Sequence, residues 1–188
     1  QEPSDLRSRA CNQREVDTMQ TALLPEDIAS LAERVVAENA AAGRMVVLAE
    51  SCTGGLVAGA LTEIPGSSAV LDRGFVTYTN DAKMEMLGVA RDIIETFGAV
   101  SIACAWAMAK GALDRSKADV AVAISGVAGP GGGTPQKPVG TVVFARVVRG
   151  ATGEPEGELK FFDGGDGPGG RAEIRRQATL CALELLLP

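Results

Sequence analysis

The stretch Met45-Val46-Val47-Leu48-Ala49-Glu50-Ser51-Cys52-Thr53-Gly54-Gly55 decides how this chain is read. Its first half is a short, unbroken apolar run, the pattern of a strand buried on both faces of a sheet. Its second half is small, polar and glycine-rich, and an Ala/Val/Leu-rich helical pattern follows it to about Ile64. Strand, glycine turn, helix is the repeating unit of open α/β sheets, which bind ligands outside the carboxyl ends of their strands. Ser51 stands at that turn. On spacing alone it reads either as the N-cap of the helix, with Glu50 solvated, or as a nucleophile. Gly54 and Gly55 allow close backbone approach to a ligand, and free N–H groups of a first helical turn favour an anion or oxyanion.

Upstream, Ile28, Leu31, Ala32, Val35, Val36 and Ala40 fall at helical spacing after Pro25-Glu26-Asp27, and Gly43 is a C-terminal stop. Residues 1–22 are polar without an apolar period and are expected to form a disordered leader, with Met19 a candidate natural start. One domain is expected over 23–188. Downstream, strands are expected at Leu71–Thr79, Asp119–Ser125, Val139–Val148 and Glu158–Phe162. Short helices are expected from Asn80 to Gly88, from about 102 to 116 capped by Ser101, and from about 171 to 187. The alternation predicts a three-layer α/β/α sandwich around a mixed, mostly parallel sheet of about five strands.

Composition narrows the chemistry. The formal net charge is −6 and aromatic residues make up 4%, which argues against a nucleic-acid surface, where phosphate binding relies on clustered Lys and Arg. No run of about 18 apolar residues occurs, and the first residues lack the apolar core of a signal peptide. A cytoplasmic location without membrane contact is therefore the expectation. Cys11, Cys52, Cys104 and Cys181 are scattered, with no paired spacing for a metal, and read as reduced thiols. The chain contains no histidine. Every Ser-His-Asp or Cys-His mechanism is thereby removed, and with it all His-ligated metal chemistry. A nucleophile here has to be activated by Lys, a carboxylate, Tyr or a helix terminus.

Tyr78, Asn80 and Lys83 form a second cluster, at the expected end of a strand and the first turn of the helix after it. A lysine buried there loses basicity and can act as a neutral base, whereas an exposed one is only a surface charge. The loop Gly126-Val127-Ala128-Gly129-Pro130-Gly131-Gly132-Gly133-Thr134 matches neither a Walker A loop nor a dinucleotide fingerprint. Arg171, Arg175 and Arg176 open the final helix, with Arg171 and Arg175 on one face, and can meet a phosphate or simply be solvated.

Taken together, these segments resemble the CinA C-terminal domain family, the nicotinamide-nucleotide amidases (PncC, NMN deamidases). The residues that carry the likeness are Ala-Glu-Ser-Cys-Thr-Gly-Gly at 49–55, Pro-Gly-Ser-Ser at 65–68 and Arg-Gly-Phe-Val-Thr-Tyr-Thr-Asn-Asp-Ala-Lys at 73–83. Gly-Ala-Val-Ser at 98–101, Ala-Asp-Val-Ala-Val-Ala-Ile-Ser-Gly-Val-Ala-Gly-Pro at 118–130 and Lys-Pro-Val-Gly-Thr-Val at 137–142 continue it, and the whole covers roughly 25–188. The resemblance implies hydrolysis of the carboxamide of nicotinamide mononucleotide to nicotinate mononucleotide and ammonia, within pyridine nucleotide recycling. It implies a metal-free, cofactor-free Ser-Lys mechanism with Ser51 as nucleophile, Lys83 as base, and Tyr78 assisting proton movement or orienting the dyad. Backbone N–H groups near Thr53, Gly54 and Gly55 would receive the oxyanion. Asn80, Ser125, Gly126 and Gly129 would line the pocket, and Arg171, in the place of the arginine of the family's Gly-Asp-Arg segment, would hold the nucleotide phosphate. Two departures stand out: Ile102 replaces a common glutamate after Val-Ser, and the Gly-Asp-Arg segment is stretched to Gly165-Asp166-Gly167-Pro168-Gly169-Gly170-Arg171. The expected partner is a small nucleotide, and the Ala-rich helix at 102–113 is a candidate homo-oligomer surface. The rival reading is a non-catalytic competence or DNA-damage module of the same family; an amidase acting on another pyridine or nucleotide amide is a third.

Overall fold

The computed structural model describes residues 23–152, 156–165 and 169–188. The expected leader at 1–22 lies outside them, as do Cys11 and residues 166–168 of the second glycine loop. The apolar run forms β1 (Val46–Glu50), buried along its whole length. It is flanked in parallel by β2 (Leu71–Val76) and β3 (Val120–Gly126). β4 (Thr141–Val148) runs antiparallel to β3, and β5 (Glu156–Phe161) antiparallel to β4, giving the order β2-β1-β3-β4-β5. Only β4 opposes the common direction, so the sheet is mixed and mostly parallel, as the sequence pattern suggests.

Side chains alternate along a strand, so β1 feeds two cores. Val46 and Leu48 face α1 (Glu26–Ala41), α2 (Leu56–Glu63) and α6 (Gly170–Leu185). Val47 and Ala49 face α3 (Asn80–Leu87), α4 (Arg91–Phe97) and α5 (Ile102–Asp114). That is the expected three-layer sandwich. Complete burial of Leu48 contributes about 2 kcal/mol.

Local signals place most helix ends. The Ser101 hydroxyl accepts from the Cys104 N–H at the start of α5, and Thr79 does the same for Ala82 at the start of α3. Gly88, at φ 70°, ends α3. The seven-residue α4 is not among the expected helices: it is short, and its apolar Ile93 and Ile94 pack on the core only partly buried. β2 is shorter than the run Leu71–Thr79 implied, because its ladder with β1 ends at the pair Glu50–Val76.

One glycine outside the turns decides where the second cluster sits. A Cβ on Gly111 would lie 2.0 Å from the carbonyl oxygen of Leu87, so only glycine lets α3 press this closely against α5. α3 carries Lys83, and the approach holds it over the edge where β1, β2 and β3 end together.

Candidate active site

Ser51 leaves β1 with its N–H donated to the Ile124 carbonyl of β3 at 2.9 Å. It is 7% exposed. Lys83, 32 positions along the chain, brings its Nζ to 3.1 Å from the Ser51 Oγ. Its other partner is the Thr77 carbonyl at 2.9 Å. Lys83 is 1% exposed, and among the described residues no carboxylate pairs with it. Burial without a counter-ion pushes its ammonium below the ordinary lysine value. The surroundings fit the neutral amine: one N–H donates to Thr77, and the lone pair is free to accept the serine proton. The adjacent Cys52 thiol is pushed up to about 11, chiefly by burial, and Cys104 is raised for the same reason. Both stay protonated near neutrality, which leaves the serine hydroxyl as the neighbour that the amine can activate.

The turn itself differs from its sequence reading. Gly54 and Gly55 adopt φ +61° and +98°, so α2 begins only at Leu56 and its N-cap is Gly55. Ser51 therefore caps nothing. Glu50 does that work: it is 1% exposed, not solvated, and its carboxylate accepts from the N–H groups of Gly55 (3.0 Å), Val57 (3.3 Å) and Ala58 (2.9 Å). A carboxylate at a helix N-terminus is favoured by the orphan amides and the helix dipole.

Glu50 also corrects the expected oxyanion donors. The Gly55 N–H is committed to Glu50, and the Gly54 N–H to the Ser51 carbonyl at 3.0 Å. The amides of Cys52 and Thr53 are the ones in this turn that carry no hydrogen bond to a described residue. The buried Thr53 and Thr77 hydroxyls also lack partners among the described residues.

The remaining expected residues are spread between rim and wall. Tyr78 is 59% exposed, and its hydroxyl accepts from Arg171 Nη2 at 2.8 Å. No hydrogen bond joins it to Ser51 or Lys83. Arg171 Nη1 donates to the Gly129 carbonyl at 2.6 Å, and Arg171 also borders a cavity of about 270 Å³ beside Pro130, Val139 and Phe162. Ser125 is buried and donates to the Ala99 carbonyl at 2.8 Å. Gly126 is needed for packing, since a Cβ there would meet Val142 Cγ2 at 2.8 Å. Asn80 is exposed on the first turn of α3, and its side chain makes no hydrogen bond to a described residue.

Residue-by-residue reading took Glu50 as solvated and Arg175 as a phosphate ligand or a solvated charge, where Arg175 in fact donates to the Cys52 and Thr53 carbonyls, and it missed Thr77. Glu50 carried a usable signal, a charged residue closing a fully apolar strand. Thr77 acts through its carbonyl, which no side-chain pattern announces.

The chain matches the model of the CinA C-terminal domain over residues 28–188. It is 48% identical over 160 residues to the nicotinamide-nucleotide amidohydrolase PncC of Escherichia coli strain K12, a match covering 85% of this chain and 93% of that protein. It is 49% identical over 159 residues to a CinA-like protein of Akkermansia muciniphila, spanning 85% of this chain but only 37% of that longer relative. Among solved structures, the competence/damage inducible protein CihA from Agrobacterium tumefaciens is 54% identical with a TM-score of 0.81, covering 88% of this chain and 96% of that one. With Ser51, Lys83 and their surrounding loops inside the matched span, the chain belongs to the CinA C-terminal domain family.

Proposed function

We propose that this domain hydrolyses the carboxamide of nicotinamide mononucleotide to nicotinate mononucleotide and ammonia. The observation that carries the reading is the buried lysine without a counter-ion, 3.1 Å from a buried serine hydroxyl. A binding module has no use for that pair. The likeness to the Escherichia coli amidohydrolase over nearly its whole length supports the substrate.

In this mechanism neutral Lys83 takes the Ser51 proton as Oγ attacks the amide carbon. The amides of Cys52 and Thr53 receive the oxyanion. Lys83 then returns the proton to the departing nitrogen, ammonia leaves, and an acyl ester remains on Ser51. Water, deprotonated by Lys83, attacks the ester; the tetrahedral species collapses, Ser51 regains its proton and the carboxylic acid departs. In this reading Tyr78 and Arg171, exposed and hydrogen-bonded to each other, serve the ribose-phosphate end rather than the proton transfers.

Purified protein should release ammonia from the mononucleotide, and Ser51→Ala should lower kcat by at least about 10³-fold with an unchanged melting temperature. Equal ammonia release from the variant and the wild type would sink the assignment. Absence of ammonia from the wild type would favour the regulatory reading.

A further inference from the structure

We propose that Arg175 is a positioning residue that aims the amides of the nucleophile turn at the oxyanion. The inference rests on the hydrolase reading above and adds a residue to it. Arg175 lies in the second turn of α6, far along the chain from Ser51. Its Nε donates to the Cys52 carbonyl at 3.0 Å and its Nη2 to the Thr53 carbonyl at 3.1 Å. No carboxylate pairs with it among the described residues. Its neighbour Arg176 instead pairs with Asp27 and Glu173.

The peptide unit makes the contact consequential. Across a trans peptide bond the C=O and the following N–H point in opposite directions. A guanidinium fixed on the Cys52 carbonyl therefore fixes the direction of the Thr53 N–H, one of the two uncommitted amides in the turn. The planar fork suits this task, because it spans two carbonyls with a rigid geometry and keeps its charge at any ordinary pH. From the other end, the Glu50 carboxylate holds the Gly55, Val57 and Ala58 amides. The turn is thus gripped by an anion on its committed N–H groups and by a cation on its carbonyls. What remains free is the pair of amides that the chemistry requires. The positive charge behind this peptide unit further favours negative charge building up in front of it.

The test uses the full chain with Arg175→Ala, Arg175→Lys and, as control, Arg176→Ala. Two readouts are measured: kcat and KM for ammonia release from nicotinamide mononucleotide, and the rate of Ser51 phosphorylation by diisopropyl fluorophosphate, with loss of fluoride, followed by intact mass. The second needs the nucleophile and its oxyanion site but no amide substrate. Arg175→Ala is expected to lower kcat by about 10²-fold, leave KM within about threefold, and slow labelling by at least about tenfold. Arg175→Lys should recover only part of the loss, since an ammonium cannot span both carbonyls, and guanidinium ion in the buffer should partly rescue the alanine variant. Arg176→Ala should behave as wild type in both assays. A purely structural role would lower the melting temperature while leaving kcat and labelling of the folded protein unchanged, and that result overturns the proposal. Should Arg175→Ala not fold, the same readouts on Arg175→Lys decide it, wild-type values in both overturning it. A wild type that labels at Ser51 but releases no ammonia would refute the substrate, while slower labelling of Arg175→Ala would still uphold the positioning role.

Discussion

The nucleophile turn and the mouth of the site are built to opposite standards. In the turn, Glu50, Ser51, Cys52 and Thr53 are all buried, and of the backbone amides from Ser51 to Gly55 only those of Cys52 and Thr53 lack a partner among the described residues. At the mouth, Tyr78, Asn80 and Arg171 are exposed, and two hydrogen bonds from one arginine tie Tyr78 to the Gly129 loop. The contrast follows from what each region has to do. A proton transfer fails when its partners drift by an ångström, so those groups are held by packing and by a committed backbone. In the proposed reaction a mouth that admits and releases a charged nucleotide has to exchange its hydrogen bonds with the ligand, and exposed groups do so at little cost.

The comparison breaks most sharply at Lys83. Lys83→Met should cut kcat by about 10³-fold and at the same time raise the melting temperature by a few degrees, because an amine buried without a counter-ion is replaced by an apolar chain of similar length. Activity should carry the sign of the same shift. The base works only when neutral, so kcat rises with pH through the lowered Lys83 value and levels off above it. The stability sign runs the same way. The folded-state value lies below the unfolded one, so between them the unfolded chain binds the extra proton and stability climbs with pH. The advantage of Lys83→Met should therefore be greatest on the acid side and fade once pH passes the unfolded lysine value. Thermal melts over a pH series, read beside a pH–rate profile, check both.

Glu50→Ala should come next. It strips three helix-terminal N–H groups of their buried acceptor, for a loss of about 3 kcal/mol that denaturant unfolding will register. Unlike Lys83→Met, it should lower stability and activity together. At the mouth the effects should be smaller and confined to binding. Arg171→Ala is expected to raise KM about tenfold and Tyr78→Phe about twofold, both with kcat nearly unchanged, since the first removes a charge and two hydrogen bonds and the second one exposed hydrogen bond. A large fall in kcat for Tyr78→Phe would erase the distinction between the two regions and give the phenol a part in the proton transfers.

The Arg171 and Tyr78 positions also mark where sequence reading thinned out. Runs such as Met45–Ala49 and caps such as Ser101 act through near neighbours, and for those the chain order is enough: burial on both faces demands an apolar strand, and orphan amides demand an oxygen three residues back. The three layers, a mixed and mostly parallel sheet and the turn at Ser51 were legible on those grounds, and the absence of histidine restricted the base to a few residue types. Helix α4, with only one turn of apolar spacing in Ile93, Ile94 and Phe97, was too short to be read.

What the chain order could not decide is how distant groups share their hydrogen bonds. Ser51 as a helix cap and Ser51 as a nucleophile look the same in sequence; Glu50 removes the cap by taking the α2 amides itself. Lys83 as a surface charge and Lys83 as a buried base also look the same, until the Gly111 contact seats α3 against α5 and removes the amine from water. Residue types and spacings thus determined the strand, the turn and the candidates. Burial and the allocation of donors to acceptors are properties of the packed molecule, and they left the Cys52 and Thr53 amides uncommitted among the described residues and the Lys83 amine buried without a counter-ion.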